Sequence, residues 1–350
     1  MKVAYTSIYS NVTYSDTNHR GLETIYFKQL LEENGYEVDI VAKKGRNSAD
    51  LDFYKNYDQV DFSDYGAVFI QLSPANFFGG QVGEHTEPIA RALASYEGPI
   101  YALVNDPRIG FYNPVEKLKR FGLLQDLEEE WKTIIEDATY LFPGKKIEKY
   151  LGHVPKNWQR LDWFTYMFKH KMSESVQAKS KPATRSLFDF DEEPTNKEWD
   201  LLYYGDNRGS FREKQVAKYF GKETNNLLVG FKTNKASATF VKKQPHDELL
   251  KTISKCKASL ITGDEEHMDN VITFRFYETM GSDCLAAIQI EYDPDMELVQ
   301  DPVLQKLLYV KNSQDVKKLV SNYSEDLIER QKQELRNIFE RLDIKFKIKE

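Results

Sequence analysis

Cysteine is the residue this sequence most lacks. Only Cys256 and Cys284 occur among 350 residues, far apart and outside any paired motif. Two isolated cysteines exclude a disulfide-built scaffold and a zinc site made of cysteines. No apolar run reaches the roughly 18 residues that a membrane span needs, and no signal-like apolar segment opens the chain. We therefore expect a soluble protein of the reducing cytoplasm.

The common nucleotide-binding fingerprints are also missing. A long polar loop over residues 7–21 follows the first predicted strand in place of a G-x-G-x-x-G turn, and no P-loop occurs. A nicotinamide or flavin enzyme is therefore not expected. Basic residues are not in excess, since 48 Lys and Arg stand against 55 Asp and Glu for a net charge of −7. Any contact with nucleic acid must come from local patches, such as the basic and aromatic run from Lys145 to Lys171.

The sequence does contain a strand and helix alternation, and it occurs twice. Apolar runs typical of buried parallel strands lie at residues 2–6, 38–41, 67–70, 100–104 and 139–142, and again at 201–204, 226–230, 258–262 and 285–288. This pattern predicts an α/β protein with two Rossmann-like domains. We expect domains at 1–171 and 199–323, a charged linker at 172–198 and a helical terminal segment at 324–350.

Two carboxylates lie at positions where α/β proteins usually place ligand-binding and catalytic residues. Asp106 follows the predicted strand at 100–104, where it suits a general base, although Asp before Pro107 is also the pattern of a helix N-cap. Glu23 lies in the first turn of the first predicted helix, where it either stabilises the helix dipole or faces a ligand.

Two pairs of charged residues suit a nucleotide. Arg208 and Arg212 share one face of a helix start, which suits either a diphosphate or surface salt bridges. Arg275 and Glu278 suit either an i,i+3 ion pair or an arginine on phosphate with a glutamate on ribose hydroxyls. The acidic run around His267, residues 264–269, lacks the spacing of metal ligands, so a solvated loop and no metal site are expected there.

The loop Asn76-Phe77-Phe78-Gly79-Gly80 sets two large aromatics beside two glycines. Such a pair suits stacking against nucleic-acid bases when it is exposed, or packing beneath the loop when it is buried.

In these residues the sequence resembles the DNA β-glucosyltransferases of T-even-like bacteriophages. The matches run in order through nearly the whole chain: residues 23–26, residues 76–80, Asp106 with Arg108, Arg208 and Arg212 after residues 204–205, and the run 263–283 that contains Arg275 and Glu278. The last run is the most specific. The resemblance implies a GT-B glycosyltransferase fold with two Rossmann-like domains facing a central cleft. It also implies that the N-terminal domain binds DNA, the C-terminal domain binds UDP, and a terminal helix crosses back to the first domain.

The resemblance also implies a role for each matching residue. Asp106 would take the proton from the acceptor hydroxyl and Glu23 would contact the sugar. The UDP-sugar would be bound by Gly205, Arg208, Arg212, Gly230, Arg275 and Glu278, with the arginines on the diphosphate, Glu278 on the ribose and Gly230 near the uracil. DNA would be contacted by Asn76, Phe77, Phe78, Gly79, Gly80 and Arg108.

The implied function is inverting transfer of a sugar, with glucose expected, from a UDP-sugar to 5-hydroxymethylcytosine in duplex phage DNA. The enzyme is expected to act as a monomer in the host cytoplasm. Arginines can meet the charge on the leaving diphosphate, so Mg²⁺ or Mn²⁺ is compatible with the reaction and not required by it. The loop from Gly205 to Arg208 is one residue shorter than is usual in the family and carries Asp206, which keeps a pentose such as arabinose open as the sugar. Transfer to a non-DNA acceptor and non-catalytic DNA binding are also compatible with the sequence.

Overall fold

The computed structural model of the chain describes residues 1–6, 19–42, 54–56, 60–72, 93, 95–104, 137–151, 154–173, 196–205, 210–244 and 246–348. It divides into two compact units. Unit 1 comprises Met1–Met167 and Asp343–Glu350, and unit 2 comprises Phe168–Leu342. None of the helices within the described ranges combines the length and apolar character needed to cross a membrane.

Unit 1 is built on a parallel sheet. Its strands are β1 (Lys2–Thr6), β2 (Glu37–Ala42), β3 (Tyr54–Asn56), β4 (Ala67–Leu72), β5 (Ile100–Val104), β6 (Thr139–Phe142) and β7 (Asn157–Arg160). Its helices are α1 (His19–Glu33), α2 (Glu148–Leu151) and the first part of α3 (Trp163–Ser173), with a 3₁₀ turn at Phe62–Asp64. The strands lie in the order β3-β2-β1-β4-β5-β6-β7, and every neighbouring pair is parallel.

Aromatic packing joins α1 to this sheet. The ring of Phe27 on α1 lies 5.0 Å from Tyr5 and 5.7 Å from Phe69, and Phe69 stacks on Tyr101 at 5.0 Å. Beyond the last helical residue, Glu33, Gly35 has φ +85° and its N–H donates to the Glu32 carbonyl, while Tyr36 N–H donates to the Leu31 carbonyl. This is the Schellman arrangement that the Asn-Gly pair predicts.

The C-terminal tail completes unit 1. Asn34 Nδ2 donates to the Ile344 carbonyl at 3.3 Å, and Asn34 Oδ1 accepts from Phe346 N–H at 3.2 Å. Phe346 also contacts the rings of Tyr36 and Phe69. The sequence predicted a helical segment over 324–350, but the last helix ends at Glu340 within unit 2, and only the extended tail beyond it belongs to unit 1.

Unit 2 carries a second parallel sheet. Its strands are β8 (Trp199–Tyr204), β9 (Asn226–Val229), β10 (Thr239–Val241), β11 (Cys256–Ile261), β12 (Leu285–Gln289) and β13 (Tyr309–Val310). Its helices after α3 are α4 (Ser210–Tyr219), α5 (His246–Ser254), α6 (Phe274–Met280), α7 (Pro302–Leu308), α8 (Ser313–Ser321) and α9 (Glu325–Glu340), with 3₁₀ turns at Glu265–His267 and Ile290–Tyr292. All neighbouring strands are parallel.

The strand order of unit 2 is β10-β9-β8-β11-β12-β13. Numbered within the unit this is 3-2-1-4-5-6, the order of dinucleotide-binding sheets, in which ligands bind where the order reverses. In unit 2 that point lies between the carboxyl ends of β8 and β11.

The four strands that the sequence pattern missed are β3, β7, β10 and β13, and each is the outermost strand of its sheet as described. These edge strands are only two to four residues long, and β7 and β10 are also partly exposed, so they do not produce the continuous apolar runs that revealed the inner strands. Most of the predicted linker at 172–198 lies outside the described residues.

Candidate functional site

Arg275 joins the two strand ends at which the order of the unit 2 sheet reverses. Its Nε and Nη2 donate to the carbonyl of Tyr204 at the end of β8, at 3.1 and 2.6 Å, and its Nη1 donates to the carbonyl of Thr262 just after β11, at 2.8 Å. A guanidinium carries five N–H groups, so these three bonds leave two N–H groups, one on each Nη. Arg275 is therefore anchored and still able to bind a ligand.

The guanidinium of Arg275 also lies against two aromatic rings. Its central carbon is 4.6 Å from the ring centroid of Tyr203 and 5.0 Å from that of Tyr204. Burial works against its charge, but the neighbouring Tyr203, Tyr204 and Glu278 outweigh burial and raise the pKa of Arg275 above its ordinary value. The site therefore keeps a permanent positive charge.

Helix α6 presents both Arg275 and Glu278. Tyr277 packs the helix against α3, because its ring stacks on that of Phe168 with centroids 4.4 Å apart. Gln331 on α9 binds the end of the helix. The Gln331 Nε2 donates to the Thr279 carbonyl at 3.2 Å, and the Gln331 Oε1 accepts from Ala286 N–H at 2.8 Å. This short helix is therefore anchored to the rest of unit 2 by ring packing and by hydrogen bonds.

Glu278 is bonded to a tyrosine. Its side chain is buried, and its Oε2 accepts a hydrogen bond from the hydroxyl of Tyr204 at 2.7 Å. Burial, followed by the charge of Glu278, holds the pKa of Tyr204 well above its ordinary value, so that hydroxyl stays protonated and donates. The i,i+3 ion pair that the sequence equally allowed is not formed within the described part of the chain, since Arg275 binds carbonyls instead.

Arg212 forms a buried ion pair. Its side chain, on the first turn of α4, is 7% exposed, and its Nη2 lies 2.7 Å from Asp264 Oδ2. The surface salt bridge that the sequence allowed for this arginine is therefore wrong, because both partners are largely enclosed. Among the described residues the Nε of Arg212 has no hydrogen-bond partner, which leaves a buried donor facing no acceptor.

The acidic run after β11 is ordered. Asp264 precedes the 3₁₀ turn Glu265–His267, and its backbone N–H donates to His267 Nδ1 at 3.1 Å, with His267 only 7% exposed. The expectation of a solvated loop is therefore wrong for Asp264 and His267. The segment from Thr262 to Asp264 binds both arginines, which brings Arg212 and Arg275 to one place.

The same turn groups three side chains that linear spacing did not. Asp264, Glu266 and His267 each offer a ligand atom, and these atoms lie within 4.8 Å of one another. Asp264 is already paired with Arg212, and an Nδ1 that accepts a hydrogen bond leaves the proton on Nε2. A divalent cation bound through Asp264 Oδ2 or His267 Nδ1 would compete with these two contacts, so the fit of this group to a cation depends on Asp264 Oδ1 and the Glu266 carboxylate.

Gly205 and Gly230 let two backbone segments approach closely. Their φ angles are +142° and +75°, and a Cβ on Gly205 would lie 2.9 Å from Arg275 Nη2. A Cβ on Gly230 would lie 3.0 Å from the Gly205 carbonyl oxygen. Only glycine satisfies both the backbone angle and the available space at these positions.

The structure thus brings together five of the predicted nucleotide-binding residues: Gly205, Arg212, Gly230, Arg275 and Glu278. Arg208, Asp106, Arg108 and the loop 76–80 lie outside the described residues, and Glu23 lies in α1 with its side chain outside them. In the basic run, the rings of Tyr150 and Trp163 are buried, so they belong to the core of unit 1 and not to a binding face.

Sequence reasoning missed the contribution of Tyr203, Tyr204 and Thr262 to this site. Their only signal is position, because each stands at or beside the carboxyl end of a strand on one side of the reversal point.

Comparison with known proteins agrees with the predicted resemblance. Residues 1–136 match a family model described as bacteriophage T4 beta-glucosyltransferase. The DNA beta-glucosyltransferase of Enterobacteria phage T4 is 28% identical over 319 residues, which cover 86% of this chain and 84% of that protein.

Solved structures give the same result for the fold. T4 phage BGT in complex with UDP and Mn²⁺ matches with a TM-score of 0.67 and 23% identity over 97% of this chain and 95% of that chain. An alpha-glucosyltransferase in complex with UDP and a 13-mer DNA containing a HMU base matches with a TM-score of 0.51 and 11% identity, over 97% and 95% of the two chains. The predicted GT-B fold class is confirmed.

Proposed function

We propose that this chain, a relative of the bacteriophage T4 β-glucosyltransferases, transfers glucose from UDP-glucose to the hydroxymethyl group of 5-hydroxymethylcytosine in duplex DNA. The observation that carries the proposal is the convergence, at the reversal point of the unit 2 sheet, of two arginines with unused donors and a buried carboxylate.

The arginines suit the diphosphate. Arg275 retains two N–H groups beyond its anchoring bonds, and Arg212 retains its Nε. Charge-assisted hydrogen bonds to phosphate are among the strongest in proteins, and they strengthen further as charge develops on a leaving diphosphate. Arg208, four residues before Arg212, is assigned to the same group. In this proposal the three arginines bind the donor and stabilise the UDP that leaves.

Glu278 and the two glycines suit the nucleoside. A carboxylate accepts hydrogen bonds from ribose hydroxyls, and Glu278 is held by Tyr204 in the same site as Arg275. Gly230, whose backbone follows β9 beside Gly205, is assigned to the uracil.

The acceptor side is assigned to unit 1. In its sheet β1, β4 and β5 are neighbours, and the order reverses between β1 and β4. Glu23 lies in the helix after β1, the loop 76–80 follows β4, and Asp106 and Arg108 follow β5. Segments that follow neighbouring parallel strands leave the same end of a sheet, which supports one acceptor site built from all three.

The proposed reaction is a single displacement with inversion. Asp106 takes the proton from the hydroxymethyl oxygen, that oxygen bonds to the anomeric carbon, and the bond from that carbon to UDP breaks. Glu23 contacts the sugar, while Arg108 and the loop 76–80 contact DNA whose target base has left the stack. Asp264 pairs with Arg212, His267 Nδ1 accepts from the Asp264 N–H, and no step is assigned to a metal ion.

The test is transfer itself. Duplex DNA containing 5-hydroxymethylcytosine is incubated with equal UDP-glucose and UDP-arabinose, and the released nucleosides are analysed by mass spectrometry and by NMR of the anomeric proton. We expect a hexose adduct whose anomeric configuration is opposite to that of the donor. A pentose adduct would overturn the sugar assignment, and unmodified DNA would overturn the proposed function.

Asp106→Asn tests the base. It should retain UDP binding and lower turnover by roughly 10²–10⁴-fold, the usual contribution of a general base. Near-normal turnover at neutral pH would remove Asp106 from this role.

A further inference from the structure

Tyr204 lies between the two groups assigned to the nucleotide. It ends β8, its ring faces the guanidinium of Arg275 at 5.0 Å, and its hydroxyl donates to Glu278 Oε2 at 2.7 Å. Tyr204 is 7% exposed and Glu278 6% exposed, so water has little access to compete for this bond.

The bond leaves Glu278 able to bind a ligand. A tyrosine hydroxyl has one hydrogen to donate, and an ionised carboxylate has about four acceptor positions. Among the described residues Tyr204 is the hydrogen-bond partner of this carboxylate, so Oε1 is free and Oε2 is only partly used. Because one oxygen already accepts a hydrogen bond, the carboxylate is oriented before a ligand arrives.

We propose that Tyr204 is a positioning residue that aims the Glu278 carboxylate at the ribose 2′-hydroxyl and thereby sets the preference for a ribonucleoside diphosphate over its 2′-deoxy form. This inference rests on the proposed function, in which Glu278 binds the ribose. The 2′-hydroxyl is the donor that a deoxynucleotide lacks, so a misaimed carboxylate weakens binding of the ribonucleotide and leaves the deoxynucleotide unaffected.

The preceding residue provides a matched control. Tyr203 is fully buried and its ring also faces Arg275, at 4.6 Å. Its hydroxyl has no hydrogen-bond partner among the described residues. Tyr203→Phe and Tyr204→Phe therefore remove the same atom from neighbouring rings on the same guanidinium, but only the second removes a bond to Glu278.

The experiment is calorimetric titration of the full-length wild-type protein and both variants with UDP and with 2′-deoxy-UDP. We expect the wild type to prefer UDP. In Tyr204→Phe the affinity ratio of UDP to 2′-deoxy-UDP should fall about three- to tenfold through UDP alone, the effect of losing one ordinary hydrogen bond. Tyr203→Phe should keep the wild-type ratio. If removing any buried hydroxyl beside Arg275 disturbed the site, this variant would change the ratio as well.

Glu278→Gln provides a second route if Tyr204→Phe does not fold. The glutamine keeps the side-chain shape but replaces one carboxylate oxygen by a donor, so the ratio should fall at least as far. With Tyr204→Phe folded, the double variant should lose little more than Glu278→Gln alone, because both changes act through one carboxylate.

The outcomes separate the two proposals. If the wild type binds neither nucleotide, the proposed function fails and this inference fails with it. If the wild type prefers UDP but Tyr204→Phe keeps that ratio, the positioning role is overturned while the proposed function stands. If Glu278→Gln keeps the ratio, the assignment of Glu278 to the ribose is overturned together with the positioning role, while the transfer activity is decided separately by the nucleoside assay.

Discussion

Replacing Gly205 with alanine tests the close approach between the backbone after β8 and the guanidinium of Arg275. The new methyl group would lie 2.9 Å from Arg275 Nη2, a separation that carbon and nitrogen do not tolerate without movement. The φ angle of Gly205 is +142°, so the backbone is strained by any Cβ as well.

The size of the effect follows from these two terms. A positive φ at a residue with a side chain costs on the order of 1–3 kcal/mol. Moving Nη2 away breaks its bond to the Tyr204 carbonyl, and a hydrogen bond to a charged group contributes about 1.5–3 kcal/mol. We therefore expect Gly205→Ala to lower the free energy of unfolding by about 2.5–6 kcal/mol.

Gly35→Ala separates the two terms. Gly35 also has a positive φ, +85°, but no atom of the described residues lies within 4 Å of the position its Cβ would take. It should therefore show the backbone cost alone. Chemical denaturation followed by tryptophan fluorescence measures both variants, and calorimetry measures their affinity for UDP.

Two results would refute this reasoning. One is a Gly205→Ala variant no less stable than Gly35→Ala, which would mean that Arg275 is not held against the backbone. The other is an unchanged UDP affinity in Gly205→Ala, since the displaced guanidinium is assigned to the diphosphate.

Two further predictions concern charged groups. Arg275→Lys should weaken UDP binding about tenfold in calorimetry, because a lysine cannot reach both strand-end carbonyls and a phosphate in the planar geometry of the fork; an affinity equal to that of the wild type would contradict the assignment. In unit 1, burial raises the pKa of Asp39, but hydrogen bonds from Lys55, Tyr65 and Lys2 outweigh burial and lower it below its ordinary value. A lowered carboxyl pKa contributes stability that is present above the unfolded pKa and is lost as pH falls through the folded pKa. Asp39→Asn should therefore cost about 1 kcal/mol or less at neutral pH and nothing well below pH 4, as measured by denaturation at both values.

Local sequence pattern was enough to predict the inner strands of both sheets. Strands covered on both faces need continuous apolar runs, so β1, β4, β5, β8, β11 and β12 were predictable without any knowledge of their neighbours. The end of α1 was predictable too, because Gly35 at a positive φ is a local requirement. The same logic explains the misses, since β3, β7, β10 and β13 are edge strands that leave no such run.

The resemblance singled out the site residues, but their contacts depend on the tertiary structure. Arg275 and Glu278 have the spacing of an ion pair, yet Arg275 binds the carbonyls of Tyr204 and Thr262 and Glu278 binds the Tyr204 hydroxyl. Local spacing reports which residues share a helix face. The sheet topology decides which distant strand end that face meets, and it is the strand order of unit 2 that brings the ends of β8 and β11 to these two side chains.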